Sequence, residues 1–279
     1  MKKFFRWLGF VVLGLIALMI FAIGYVHFAF GREVARQYKV AETLSISLPT
    51  DPAELAEGKR LAQITGCTHC HGETLTGAEP VDIPGMARFV APNLTRILPD
   101  YSDAELVGLL RRGVKRDGTS AWFMPSQMFS HLHDEDLARI IAWARTVPAA
   151  DGITEKTQIR LMGRIVIVLG KFKSAAQQIE ELHAAGAGVD TSTRGAYLVM
   201  NLCSECHGQD LQGEPMAKSP SLAIVKGYSA EDFARLMNSG IGLGNRTFEL
   251  MTPTAKSRFS HLTPEEAESI RVFLTSQPL

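Results

Sequence analysis

The chain has 279 residues, 46% hydrophobic and 21% charged, and its 29 basic and 29 acidic side chains cancel to zero formal charge. That balance argues against nucleic acid or a strongly anionic surface as the main partner, because both select a basic footprint. The 24 glycines and 13 prolines are too few for a disordered chain, and the length suits about two domains plus an accessory segment.

The first element is apolar. From Trp7 to Phe30 no charged residue occurs. As a helix rising about 1.5 Å per residue the run reaches about 36 Å, enough for a hydrocarbon core of about 30 Å. Lys2, Lys3 and Arg6 precede it, which by the positive-inside rule leaves the N-terminus in the cytoplasm and everything after Gly31 outside. A cleaved signal peptide has a shorter apolar region, about 7–15 residues, ending in a small-x-small site. Here the run ends in Tyr25-Val26-His27-Phe28-Ala29-Phe30. The reading is an uncleaved single-pass anchor over residues 1–31, meeting the lipid bilayer through 7–30, in a bacterial-type inner membrane. A juxtamembrane linker over 32–50 follows, and the remainder lies on the periplasmic side.

An internal repeat organises that remainder. Gly58-Lys59-Arg60-Leu61 and Gly195-Ala196-Tyr197-Leu198 each precede a Cys-x-x-Cys-His-Gly-x-x-Leu-x-Gly run, over 67–77 and 203–213. Ser102-Asp103-Ala104-Glu105-Leu106 is echoed by Ser229-Ala230-Glu231-Asp232-Phe233, and Phe129-Ser130-His131-Leu132 by Phe259-Ser260-His261-Leu262. The same small domain therefore occurs twice, over 51–148 and 191–279. Asp51-Pro52-Ala53-Glu54, Ser102 with Glu105, and Thr263-Pro264 with Glu266 are helix-start signals. Each unit reads as helices separated by long irregular loops, without alternating strands or tight hairpins. The fold class is mainly α: a transmembrane helix, then two tandem domains. Between them, 149–190 is a linker whose apolar stretch Ile159 to Leu169 is too short and too charged to span. It reads as a connecting helix packed on one or both domains, with the membrane surface as the alternative. The Ala184 to Gly188 piece reads as a flexible connection.

The four cysteines form two local pairs, Cys67/Cys70 and Cys203/Cys206, each followed by a histidine, His71 and His207. Cys-x-x-Cys-His is the attachment signature of c-type haem. Two thiols on one backbone turn add to the two porphyrin vinyl groups, and the adjoining imidazole becomes the proximal iron ligand. A thioredoxin-type pair would need a βαβ context, and a zinc ribbon would space its pairs about 15–20 residues apart. Two covalently bound haems are the expected cofactors. For the sixth iron position, Met124 and Met251 lie between the middle and final helices of their units. Met128 competes with Met124 from four residues on, while Met86, Met216 and Met237 are worse placed. A methionine on both irons predicts an electron carrier and not a catalyst.

The remaining candidates are weaker. His69 is an x position of its motif, His131 and His261 recur before the final helices and suit structural hydrogen bonds, and His27 and His183 read as incidental. Arg111, Arg112, Lys115 and Arg116 could face haem propionates or an acidic partner, or form a solvated helix face. Trp143 and Phe273 sit at matching places in the final helices; in the kind of fold this repeat resembles, such aromatics pack on the first helix near Gly58 and Gly195, where a missing side chain allows close approach.

With these motifs, the chain resembles class I bacterial cytochromes c, in particular the cytochrome c subunits of membrane-bound alcohol and aldehyde dehydrogenases, over nearly all of 53–277. The pieces that carry the likeness are Ala91-Pro92-Asn93-Leu94-Thr95, Arg112 to Gly118, Met124-Pro125 leading to Asp134-Glu135-Asp136-Leu137, and Met251 followed by Ser260-His261-Leu262-Thr263. His133 stands where those subunits carry Ser or Thr before the final acidic helix. The resemblance implies a subunit of an oxidoreductase complex, and nothing in the sequence supplies a substrate pocket. It would accept electrons from a dehydrogenase partner and pass them haem to haem to quinone, a soluble cytochrome or a terminal oxidase. The rival readings are a dihaem subunit of a haem-copper oxidase and a catalytic dihaem enzyme, a peroxidase or a sulfur-compound oxidoreductase.

Overall fold

Helix α1 (Lys2–Val34) runs for 33 residues with none of them buried, and it is long and apolar enough to cross a membrane. The computed structural model describes residues 2–39, 46–79, 81–184, 190–215 and 218–278. Beyond α1 the chain is tied down at once. The Tyr38 amide donates to the Gly118 carbonyl at 2.9 Å, and the buried Tyr38 phenol meets the Ser174 hydroxyl at 3.2 Å.

The first repeat comprises α2 (Pro52–Ile64), α3 (Cys67–His71), the strands β1 (Val81–Ile83) and β2 (Ala87–Phe89), then α4 (Leu94–Ile97), α5 (Asp103–Arg112), α6 (Ser126–Phe129) and α7 (Asp134–Thr146). The expected start signals cap as their chemistry requires. The Asp51 carboxylate accepts from the Ala53 and Glu54 amides, and Ser102 with Glu105 closes a capping box. His133, at the cap of α7, makes no side-chain cap bond and stacks its ring on Tyr197 at 4.1 Å.

The absence of hairpins expected from sequence needs correction. β1 and β2 form an antiparallel pair after the first Cys-x-x-Cys-His motif, and β3 (Gln158–Ile159) adds a third strand. Strands of two or three residues are too short to display the alternation that betrays a strand in sequence.

Much of 149–190 belongs structurally to the first half. β3 completes its sheet, and α8 (Leu161–Val168) packs along α1. Gly163 lies so close to Met86 that a Cβ there would fall 2.4 Å from its carbonyl oxygen. Helix α9 (Ala175–Ala184) covers α5 and α6, with the Ala175 amide donating to the Ala121 carbonyl at 2.9 Å. Of the stretch expected to be flexible, only Ala184 is described; Ala185 to Gly188, like Met216, lie outside the described residues.

The second repeat comprises α10 (Arg194–Leu202), α11 (Ser204–His207), α12 (Ala230–Ser239), α13 (Met251–Ser257) and α14 (Pro264–Ser276), with Thr263 and Glu266 forming its capping box. In both halves the first helix crosses the last through a glycine. A Cβ on Gly58 would lie 2.1 Å from the Arg139 carbonyl oxygen, and one on Gly195 would lie 2.2 Å from that of Ser269. Trp143 and Phe273 flank those crossings, as expected. One hydrophobic core runs through both halves, from Leu61, Leu106 and Leu137 to Leu198, Phe259 and Ile270. The seam between them carries a buried ionic network. Glu266 accepts from Arg60 at 2.8 Å, Asp136 accepts from Arg139 at 3.0 Å, and the Tyr197 hydroxyl donates to Asp136 at 2.7 Å.

Candidate functional site

Each Cys-x-x-Cys-His segment folds as a single helical turn, α3 in the first half and α11 with its preceding Cys203 in the second. Three-residue spacing on a helix places both thiols on one face with the histidine beside them. Glycine closes each turn. Gly72 (φ 79°, ψ 157°) and Gly208 (φ 80°, ψ 157°) take a backbone conformation closed to other residues, so the chain reverses right after the histidine. The rest of the repeat closes that reversal. The Gly77 amide donates to the His71 carbonyl at 2.8 Å and the Gly213 amide to that of His207 at 2.9 Å. Leu75 and Leu211 then sit at φ 56° and 61°, buried in the core. The pattern His-Gly-x-x-Leu-x-Gly is therefore a backbone loop that presents the imidazole.

The imidazoles are oriented alike. His71 Nδ1 donates to the Pro92 carbonyl at 2.9 Å, and His207 Nδ1 to the Pro220 carbonyl at 2.8 Å. Each carbonyl sits just ahead of a capped turn, with Asn93 capping α4 and Ser221 capping the turn that begins at Leu222. A proton held on Nδ1 leaves Nε2 as the lone-pair nitrogen. Burial holds both imidazoles below the ordinary histidine range, which the bond to the proline carbonyl only partly opposes, so both rings are neutral at pH 7. Neutral imidazole with a free Nε2 is the form that ligates a metal.

All four cysteines are free thiols, and none is disulfide-linked. Burial pushes each of them up, Cys203 to about 12. These environments accept neutral sulfur, the state it has in a thioether. Among the described residues no three His, Cys, Asp or Glu side chains converge on one point where a metal ion could sit. The donor set fits haem.

Met124 and Met251 are half-buried against the shared core, whereas Met128 is 0% exposed and wholly inside it. Met124 leads into α6, where the Ser126 hydroxyl donates to the Leu109 carbonyl at 2.9 Å, and beside it Phe123 packs on Phe89 and Phe172 at 4.1 and 5.4 Å. Met251 begins α13. Its neighbour Thr252 donates to the Gly240 carbonyl at 2.7 Å and accepts from the Phe248 amide at 2.8 Å.

Other predicted groups are held within the protein. His131 Nε2 meets Gln209 Oε1 at 3.2 Å, His183 meets Arg112 at 3.2 Å, Arg111 pairs with Asp134 at 2.6 Å, and the His261 carbonyl accepts from Arg60. His27 is bonded to Arg164 of α8. Sequence reasoning missed the two proline carbonyls, which carry no side-chain signature. It also missed Arg258, whose only signal is a charge directly before the repeated Phe-Ser-His-Leu, where the first repeat has Met128.

Residues 55–148 and 192–278 each match the cytochrome c family. The chain is 28% identical, over 57% of its length, to the fructose dehydrogenase cytochrome subunit of Gluconobacter japonicus, and spans 37% of that relative. It is 25% identical, over 81% of its length and 86% of the relative's, to a dihaem c-type cytochrome of Cereibacter sphaeroides. The chain belongs to the cytochrome c family, with two c-type haem domains in tandem, and is an electron-transfer protein.

Proposed function

We propose that Cys67, Cys70, His71 and Met124 hold one haem and Cys203, Cys206, His207 and Met251 the other. The chain then serves as the non-catalytic, membrane-anchored relay of a periplasmic oxidoreductase, taking electrons from a dehydrogenase-type partner and delivering them to quinone, a soluble cytochrome or a terminal oxidase. The observation that carries this reading is the duplicated turn with its Nδ1–proline carbonyl bond. The bound irons supply one-electron chemistry when their axial positions are filled. The protein's own part is to keep Nε2 unprotonated, to hold sulfur neutral, and to bring a methionine from the segment between the middle and last helices. The fructose dehydrogenase cytochrome subunit supports the choice of a dehydrogenase partner.

The anchor reading rests on α1 and on what packs against it. Helix α8 lies along α1, with the Arg164 guanidinium over the Phe30 ring at 5.1 Å. Leu161, Met162 and Leu169 are exposed there, extending an apolar surface from the outer end of the span. Domain 1, pinned through Tyr38 and Ser174, would then sit directly on the outer leaflet.

The test is the absorption spectrum of the full-length protein matured with covalent haem, in both redox states. Two equivalents of low-spin haem, each with the weak near-infrared band of methionine-ligated ferric iron, are expected. A high-spin or bis-histidine equivalent would overturn the ligand set for that half and favour a catalytic role.

A further inference from the structure

The two motifs do not merely repeat along the chain; they meet. Arg258, at the end of α13, is 6% exposed and reaches both. Its Nε donates to the Ile64 carbonyl and its Nη2 to the Thr65 carbonyl, each at 3.2 Å, just before Cys67. Its Nη1 donates at 3.1 Å to Glu205, which lies between Cys203 and Cys206. The guanidinium also faces the Phe259 ring at 5.5 Å, and next to it the Ser257 hydroxyl meets His69 Nδ1 at 3.1 Å, inside the first motif. Gly66 makes room for the arginine, since a Cβ there would lie 2.9 Å from Cζ.

The guanidinium therefore stands between the two motifs, bonded to the backbone ahead of the first and paired with the Glu205 carboxylate inside the second. A buried charge is costly to keep, and the other half of the repeat does without one. In the repeat alignment Arg258 corresponds to Met128 and Glu205 to His69, and the first half buries its methionine completely.

We propose that Arg258 is a shared electrostatic positioning residue that acts on both haem sites, raising the reduction potential of each while Glu205 trims the effect. This rests on the reading that each motif carries a haem. When the redox partner delivers one electron to either site, that site's charge falls by one and no bond is made or broken. A fixed positive charge between the motifs favours the reduced form of both.

The experiment is a spectroelectrochemical titration of the full-length dihaem protein, resolved into two one-electron waves, with haem per polypeptide measured alongside. Arg258→Met, which copies the residue of the other half, is expected to lower the reduction equilibrium constant about tenfold at both sites, ~59 mV for a one-electron couple. Arg258→Lys keeps the potentials near those of the parent, and Glu205→Gln, which leaves Arg258 in place, raises both. A shift at one site alone, an equal shift in Arg258→Lys, or no shift at intact haem content overturns the proposal. If Arg258→Met fails to fold, Glu205→Gln decides: a rise at both sites supports the shared field, and a rise at one site or none overturns it. A parent protein without two haems would instead overturn the site assignment itself.

Discussion

The two halves share what presents the imidazole and differ in what surrounds it. Both use a left-handed glycine after the histidine, a positive-φ leucine, and a proline carbonyl on Nδ1. Around that common device the first half is wrapped by the three-stranded sheet, the Phe89–Phe123–Phe172 cluster and α9, whose Ala175 abuts the middle-helix cap Gly113. In the second half the matching cap, Gly240, is covered by Thr252 of its own α13. At the seam the first half places Met128 and His69 where the second places Arg258 and Glu205. The geometry of ligand presentation tolerates little change. Burial and charge around the ligand differ freely between the copies, and those are the levers that set a haem's potential.

The sharpest way to break the comparison is at the methionines of the first half. Met128→Ala is expected to cost about 3 kcal/mol in denaturant unfolding, as a truncation in a filled core, and to leave the near-infrared methionine band unchanged. Met124→Ala should abolish half of that band with a smaller stability loss. The reverse pattern would show that Met128 is the ligand and that the halves are not equivalent.

The helix crossings come next. Gly58→Ala and Gly195→Ala each force a Cβ into a backbone carbonyl. Each should cost about 2 kcal/mol of stability, less the fraction of a kcal/mol gained in helix propensity. Near-equal losses would confirm that the two crossings are one device used twice.

The seam has a pH signature. Burial opposes ionisation of Glu266, but the Arg60 guanidinium, the Thr263 amide and Arg194 outweigh it, so the carboxyl sits below its ordinary value. A group depressed in the folded state stabilises above its unfolded value and loses that contribution as pH falls through the folded one. Unfolding midpoints followed from neutral pH into acid should therefore fall. Glu266→Gln should lower stability by about 2 kcal/mol at pH 7 and flatten the acid slope; an unchanged slope would assign the loss to other carboxylates. The smallest effect is expected at His133→Ala, which removes the ring stacked on Tyr197, at about 1 kcal/mol.

Much of this molecule was legible before any fold was known, because its chemistry is local. Cys67 to His71 and Cys203 to His207 lie within single turns, so the attachment motif, the number of haems and the repeat could be read from spacing alone. So could the capping boxes at Ser102 and Thr263 and the span from Trp7 to Phe30, since each depends on neighbours in sequence. What only the tertiary structure decided are contacts between residues far apart in the chain. These include the proline carbonyls 21 and 13 residues from their histidines, the burial that separates Met124 from Met128, and the docking of α8 and α9 on the first half. The meeting of the two motifs at Arg258, 193 residues from the Thr65 carbonyl it binds, belongs to the same class. Local spacing names the groups that can hold an iron, whereas the field those irons feel depends on long-range packing, which no pattern along the chain encodes.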